Sequence, residues 1–317
     1  MNSSDYFSDI IGHKRVISSL KSSWIQNRFP HSVLFSGPEG IGKKTIALNF
    51  SRMILSHGQQ NADNISKRIE HRTHPDLIFI DLEWGVKNPT SFIKIEAVRQ
   101  LERRLKSGSY ESNSLVIIID PAEQMTRGAA NALLKTLEEP PDGVFFFLIA
   151  VSPHRLPITI RSRCQSYRFS PLSENDIFTS LSRSFSEKKP EDLQKIAEIS
   201  GGRISRALKY LTSQDYNGLI SMADQATETV LNGSLVSILN LADKLSHQDR
   251  ELLSQFLSLF EINLLKTGKE RQFKGKPVRN FDTVKWLALL RQSKYDLEGN
   301  INKGLIFEHL FLEMRRR

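Results

Sequence analysis

The sequence predicts an α/β domain built on a parallel sheet, followed by a small helical domain and an all-helical C-terminal domain. In the first half, apolar runs of strand length alternate with helical patterns, and continuously apolar strands are typical of sheets covered on both faces. After Pro171 only amphipathic helical patterns remain. We place the domains at about residues 1–170, 171–213 and 214–317, which agrees with about 100–200 residues per domain.

Each element of the α/β domain is predicted from its own pattern. Short apolar runs predict four strands, at Ser32–Ser36, Leu77–Asp81, Leu115–Ile119 and Val144–Val151. Apolar stripes at helical spacing predict three helices, at Lys44–Leu55, Lys94–Lys106 and Gly128–Glu139. The polar stretch Ser56–Pro75 lacks both patterns and is predicted to be a long surface loop.

The helical patterns beyond the first domain differ in length. Two short ones, interrupted at Ser200-Gly201-Gly202, form the small domain, at Ser173–Phe185 and Pro190–Leu211. The C-terminal domain contains longer ones, including Val230–Leu245, Glu251–Lys266, Thr283–Gln292 and Lys303–Met314.

Composition excludes several classes of protein. With one cysteine, Cys164, neither an intrachain disulfide nor a zinc site made of cysteines can form, and a reducing compartment is indicated. The N-terminus lacks a signal-peptide pattern, and the longest apolar run, Val144–Val151, is too short to span a membrane, so we expect a cytoplasmic protein with no membrane partner. The net charge of +9 is compatible with a nucleic-acid partner or with a solvated basic surface.

The segment from Gly37 to Lys43 has the spacing of a phosphate-binding loop. It follows an apolar strand and opens a helix, so that backbone N–H groups and the helix N-terminus can surround an anion. The backbone at Gly37, Gly40 and Gly42 would form the loop, and Lys43 would contact the outer phosphates. The alternative is an ordinary glycine-rich turn.

The position after the lysine departs from the motif. A serine or threonine there supplies the hydroxyl that binds Mg²⁺, but this chain has Lys44, with Thr45 one residue later. One residue is a rotation of about 100° around a helix, so Thr45 cannot simply replace that hydroxyl. Lys44 adds positive charge for a nucleotide, while Mg²⁺ loses a ligand.

A second acidic position follows the apolar strand Leu115–Ile119. Asp120 at its carboxyl end is the type of residue that holds Mg²⁺ in P-loop proteins; the alternative is an aspartate that caps the turn. The next residue is Pro121, which has no side-chain proton acceptor to activate water. Glu123 is expected to be solvent-exposed or to be a first-turn helix acid.

Seven stretches, together with these features, resemble the clamp-loader subunits of bacterial DNA polymerase III, members of the AAA+ superfamily. The stretches are Ile11–His13, Phe29–Lys43, His74–Leu77, Ile95–Arg99, Ile119–Met125, Ala129–Pro141 and Ile160–Cys164. The resemblance is strong over about residues 10–170, weaker through Gly201-Gly202, and beyond that rests only on helical content and length.

The resemblance implies an AAA+ P-loop domain, a helical lid and a helical collar that joins subunits in a hetero-pentameric ring. The expected partners are the gamma/tau and delta subunits, the sliding clamp, and primed DNA contacted through its phosphates. ATP is the implied nucleotide. The delta-prime member of this family is a stator that often lacks working ATPase chemistry, which agrees with Lys44 and Pro121.

The resemblance also implies roles for three further residues. Arg163 in the Ser162-Arg163-Cys164 motif would act in trans as an arginine finger on the γ-phosphate held by a neighbouring subunit, and the alternative is a surface arginine paired with a carboxylate. Ser152 and Arg206 align with the first and second nucleotide sensors of the family, although Ser152 also suits a turn. Cys164 is expected to be a buried packing residue.

A zinc module found in many relatives has no counterpart here. The corresponding stretch contains no cysteine, and the spacing of His57, His71 and His74 matches no closed tetrahedral set, so we expect no zinc.

Two other interpretations make different demands on the sequence. An active motor of the gamma/tau type should have a hydroxyl residue after Lys43, an acid after Asp120 and zinc cysteines, and this chain has none of them. A small-molecule kinase would need neither the motif at Arg163 nor a helical collar. A component of the polymerase holoenzyme that does not itself hydrolyse ATP fits best.

Overall fold

Five strands form one parallel sheet in the computed structural model of the chain, which describes residues 5–59, 61–84, 91–212, 216–273, 283–299 and 301–316. The strands are β1 (Ser32–Ser36), β2 (Leu77–Ile80), β3 (Leu115–Ile119), β4 (Val144–Ala150) and β5 (Gln165–Arg168). Their order is β2-β3-β4-β1-β5, and every neighbouring pair is parallel. All four predicted strands are confirmed. The edge strand β5 was not predicted, because its residues are polar and mostly exposed.

Helices cover both faces of this sheet, and further helices follow along the chain up to residue 212. They are α1 (Lys14–Ile25), α2 (Lys43–Leu55), α3 (Ala62–Glu70), α4 (Ile95–Leu105), α5 (Arg127–Glu138), α6 (Ile158–Arg161), α7 (Glu174–Ser184), α8 (Pro190–Ile199) and α9 (Ile204–Thr212). Short 3₁₀ helices lie at Asp5–Phe7, Ala122–Gln124 and Pro153–Arg155. The three helices predicted for the α/β domain are confirmed as α2, α4 and α5.

Successive residues of the strands pack on opposite faces of the sheet, as the period of two requires. Ile118 and Phe147 belong to the core shared with α2, whereas Ile117 and Phe146 belong to the core shared with α4 and α5. All four side chains are fully buried. Burial on both faces explains why β3 and β4 are apolar throughout.

The prediction of a loop over Ser56–Pro75 is wrong, because α3 lies within it. This helix buries Ile65 and Ile69, which are four residues apart and share one helical face, and it packs beside α2. Two apolar residues in a polar stretch are a weak signal, which explains the omission.

The chain divides into two compact units, Met1–Arg206 and Ala207–Arg317. The helices entirely within the second unit are α10 (Tyr216–Asn232), α11 (Leu235–Ser246), α12 (Arg250–Phe273), α13 (Thr283–Glu298) and α14 (Lys303–Arg315). The single helix predicted over Val230–Leu245 is wrong: Gly233 separates two helices, and the Ser234 side chain caps the second by accepting from the Ser237 N–H. The division of residues 1–213 into two domains stays a prediction.

Two further results concern the architecture as a whole. The predicted fold class, a parallel α/β domain followed by helices, is confirmed. In the ranges that the structure describes, no helix combines the length and the apolar character that crossing a membrane requires.

Candidate nucleotide site

The loop predicted to hold phosphate joins β1 to α2 at the carboxyl edge of the sheet. Gly37 has φ 146°, and a Cβ atom there would lie 2.4 Å from the Phe169 carbonyl oxygen, so this position requires glycine. Gly42 is the N-cap residue of α2 and makes no side-chain capping bond. The first N–H groups of α2 are therefore available to an anion.

Lys43 is held against this loop. Its side chain is buried, and Nζ donates to the carbonyl oxygens of Gly37 and Pro38, both at 2.6 Å. Burial lowers the pKa of Lys43, while the charges of Asp120 and Glu123 act in the opposite direction. To bind a phosphate, the Lys43 ammonium group would have to leave these carbonyl oxygens and donate to the phosphate oxygens instead.

The structure brings Lys44 together with Asp120. The two side chains form an ion pair with Nζ and Oδ2 3.8 Å apart, and the Lys44 ammonium also lies 4.3 Å from the centre of the Phe79 ring. Burial raises the pKa of Asp120, and the nearby ammonium groups of Lys44 and Lys43 oppose that shift. Burial lowers the pKa of Lys44, and the Arg72 charge adds to that effect.

Thr45 lies on a different side of α2 from Lys44. It is exposed and lines a groove of about 1200 Å³ along α2, with Tyr6 and Asn49 among the other lining residues. This agrees with the expected rotation between adjacent helical positions, since Lys44 and not Thr45 reaches Asp120.

For Glu123 the second of the two predicted alternatives, a first-turn helix acid, is confirmed, and its carboxylate makes contacts that were not predicted. It lies in the first turn of a 3₁₀ helix, but its carboxylate turns inward and Oε1 accepts from the N–H groups of Val151 (2.7 Å) and Ser152 (3.3 Å). Its Oε2 atom is buried and has no hydrogen-bond partner within the described residues. Because β4 lies between β1 and β3, this contact fixes Ser152, the predicted first sensor, beside the end of β3.

The N-terminus of α9 closes over the loop. The Ser205 N–H donates to the Gly40 carbonyl oxygen at 3.0 Å, and a Cβ atom on Gly40 would lie 2.0 Å from Ser205 Oγ. The Arg203 charge contributes to lowering the Lys43 pKa. Sequence reasoning missed both Arg203 and Ser205. Arg206, the predicted second sensor, follows in the same turn with its N–H on the Arg203 carbonyl, and its contact with nucleotide stays a prediction.

The Ile11–His13 stretch connects the N-terminal segment to the loop. His13 Nε2 donates to the Ile41 carbonyl oxygen at 2.7 Å, and the imidazole packs edge-on against Phe169. Burial lowers the pKa of His13, so the ring stays neutral near pH 7. The histidine thereby holds α1 against the phosphate loop.

Arg163 lies just after α6, and its side chain contacts α5 and α6 rather than the phosphate loop. Its guanidinium forms an ion pair with Glu138 at the end of α5, and Nη1 donates to the Thr159 carbonyl oxygen at 3.0 Å. About a third of the side chain remains exposed. Cys164 beside it is buried in the core, and burial raises its pKa to about 12, which confirms its packing role.

No metal-binding cluster is found in this part of the molecule or elsewhere among the residues that the structure describes. Groups of three or more histidine, cysteine, aspartate or glutamate side chains close enough to hold a metal ion are absent there. That the protein uses no zinc stays a prediction.

A glycine-rich loop between a parallel strand and a helix, with an acid at the end of a nearby strand, defines a protein of the P-loop α/β fold class. The family described as "DNA polymerase III, delta subunit" matches residues 12–173, about half of the sequence. The chain belongs to this family.

Curated relatives agree with this family. The chain is 34% identical to DNA polymerase III subunit tau/gamma of Haemophilus influenzae over 72% of its own length and 33% of that protein. It is 36% identical to subunit delta' of Bacillus subtilis over 51% of its length and 49% of that protein. With subunit delta' of Escherichia coli it shares 28% identity, covering 78% of this chain and 73% of that one. The chain spans about a third of the length of its tau/gamma relative.

A solved structure supports the fold alone. A gamma subunit-related protein from Thermotoga maritima superposes with a TM-score of 0.50 at 16% identity, covering 93% of this chain and 98% of the other.

Proposed function

We propose that this chain is a delta-prime-type subunit of the DNA polymerase III clamp loader that does not hydrolyse ATP itself. It would act as a stator and help to load the sliding clamp onto primed DNA. The observation that carries the proposal is the ion pair between Lys44 and Asp120, which places an ammonium group against the carboxylate that would hold the metal ion in a P-loop motor.

Two independent positions argue against hydrolysis by this chain. Lys44 replaces the hydroxyl ligand of Mg²⁺, and Pro121 stands where a motor has the acid that activates water. Glu123 does not replace that acid, because its Oε1 is engaged with two backbone N–H groups of the β4 end. ATP binding at the loop is part of the proposal, and ATP hydrolysis is not.

The contribution of this chain to catalysis would come from Arg163. A guanidinium keeps its charge and can bind phosphate oxygens in a bidentate manner. In the isolated chain this guanidinium forms an ion pair with the Glu138 carboxylate, and both side chains are partly exposed. An exposed ion pair contributes little stability, so a phosphate group on a neighbouring subunit could displace Glu138 at low cost.

The proposed partners follow from the family. They are the gamma/tau and delta subunits in a ring of five, the sliding clamp, and primed DNA contacted through its phosphates. The C-terminal helical unit would form the collar that joins the ring, and the net charge of +9 suits a DNA-bound assembly.

Clamp loading by a reconstituted complex tests this proposal. We expect gamma/tau and delta subunits to load the clamp onto primed DNA only when this chain completes the ring, and we expect all components to co-elute in gel filtration. The measurement is the amount of clamp retained on circular primed DNA, with and without the chain. Equal loading when the chain is omitted would contradict the proposal.

A further inference from the structure

We infer that Lys44 is a built-in cation that takes the place of the divalent metal, so that the loop binds the polyphosphate of a nucleotide without Mg²⁺. This inference rests on the nucleotide site proposed above. It concerns how that site balances charge, and it is independent of whether the chain assembles into a clamp loader.

The residues at this edge do not fit magnesium. Mg²⁺ requires near-octahedral oxygen ligands at about 2.0–2.1 Å. The helix position that should offer a hydroxyl carries Lys44, and the carboxylate of Asp120 already faces that ammonium group at 3.8 Å. An incoming divalent cation would meet a like charge at the position where it needs an oxygen.

The surroundings of Lys44 hold its ammonium in place. Phe79, a buried residue of β2, presents its ring 4.3 Å from Nζ, so the cation is fixed by a π face as well as by a carboxylate. The neighbouring strand end shows the same arrangement, because Asp81 after β2 pairs with Arg72 at 3.6 Å. At both strand ends a side chain of this chain neutralises the acid.

This arrangement changes which form of the nucleotide is preferred. Free ATP keeps its full negative charge, and Lys43 and Lys44 both lie at the start of α2, where a polyphosphate would be bound. In the Mg²⁺ complex much of that charge is neutralised, and the metal would be brought close to the Lys44 ammonium. Coulomb repulsion at such distances removes the advantage that the metal gives to motor proteins.

Equilibrium binding of labelled ATP to the full chain, in Mg²⁺ and in EDTA, tests the inference. For the natural chain we expect the two dissociation constants to agree within about twofold, or binding in EDTA to be tighter. The variant Lys44→Thr restores the hydroxyl and removes the ammonium. We expect it to bind ATP at least about tenfold more weakly in EDTA than in Mg²⁺, the effect of one charge-assisted contact.

Two further variants make the experiment decisive. Lys67→Thr removes an exposed lysine of α3 and should behave as the natural chain does. Asp120→Asn removes the carboxylate that would hold a metal, and we expect the ratio of its dissociation constants for ATP in Mg²⁺ and in EDTA to stay that of the natural chain within about twofold. This variant also keeps the test valid if Lys44→Thr does not fold, which a thermal melt reveals.

Several results would overturn the inference. These are a natural chain that binds ATP only with Mg²⁺, a Lys44→Thr chain that is indifferent to the metal, or an Asp120→Asn chain that loses about tenfold in affinity in Mg²⁺ but not in EDTA. The absence of ATP binding in both buffers would also overturn it. In that case the proposed clamp-loader role would still be decided separately by the clamp-loading assay.

Discussion

Replacing Arg163 with alanine is expected to slow ATP hydrolysis in the reconstituted clamp loader while leaving the complex assembled. An arginine supplied in trans stabilises the charge that develops on the transferred phosphoryl group, and in GTPase systems this contribution is roughly 10³–10⁵ in rate. We expect a loss of roughly 10³-fold at the one nucleotide site that adjoins this chain. Single-turnover hydrolysis in the assembled complex measures it.

The chain offers a matched control for this experiment. Arg155 is an exposed arginine in the 3₁₀ helix just before α6, so Arg155→Ala removes the same charge from the same region. We expect that variant to hydrolyse ATP at the normal rate. An Arg163→Ala complex that assembles and retains full single-turnover rates would show that Arg163 is only the partner of Glu138.

The second large effect is expected on stability, from replacing Asp76 with alanine. This carboxylate is fully buried at the start of β2, and it accepts hydrogen bonds from the N–H groups of Tyr110, Glu111 and Ser112 at 2.6–2.8 Å. Arg104 pairs with it at 3.3 Å. Removing one partner of such a buried pair leaves the others unsatisfied and costs about 3–5 kcal/mol of unfolding free energy.

Thermal unfolding measures this loss. In a unit of about 200 residues, each kcal/mol corresponds to roughly 2–4 °C, so we expect the melting temperature of the first unit to fall by at least about 6 °C. Asp142→Ala, which alters an exposed aspartate before β4, should leave the melting temperature nearly unchanged. An Asp76→Ala chain as stable as the natural one would contradict the role assigned to this carboxylate.

Asp76 also shows that a stretch shared with a family can have a structural role. The stretch His74–Leu77 contributes to the family resemblance, yet its aspartate organises the turn before β3. It lies at the amino end of β2, whereas the candidate nucleotide site lies at the carboxyl ends of the strands. The Asp76 N–H donates to His74 Nδ1, so the histidine belongs to the same structural cluster. Sequence reasoning can detect such a stretch, but only the contacts distinguish a structural role from a binding role.

The strands and helices that sequence reasoning predicted correctly are those with strong periodicity. Strands β3 and β4 are buried on both faces and are therefore apolar throughout, whereas β5 lies at an edge and consists of polar residues. Helix α3 has only Ile65 and Ile69 to mark its buried face. An element that buries little leaves little pattern in the sequence, and tertiary contacts determine its structure.

The candidate site divides in a similar way. Residues close together in the chain, such as Lys43 and Lys44 in the loop, could be predicted from spacing, and Asp120 from its position after an apolar strand. Three other contacts could not be predicted, because they join residues far apart in sequence and spacing does not define the direction of their side chains. They are the contacts of Glu123 with β4, of Ser205 with Gly40 and of Arg163 with Glu138. The first two follow from the strand order and from the packing of α9 on the loop, and the third follows from the contact between α5 and α6.

ATP turnover by the isolated chain tests the central claim most directly, namely that this protein assists hydrolysis without performing it. The rate would be measured with Mg²⁺, primed DNA and the sliding clamp present. Because Lys44 is paired with Asp120, and because Pro121 stands in place of a catalytic acid, we expect no turnover above the background of the assay. A rate comparable to that of a working enzyme, about 10 s⁻¹, would contradict it.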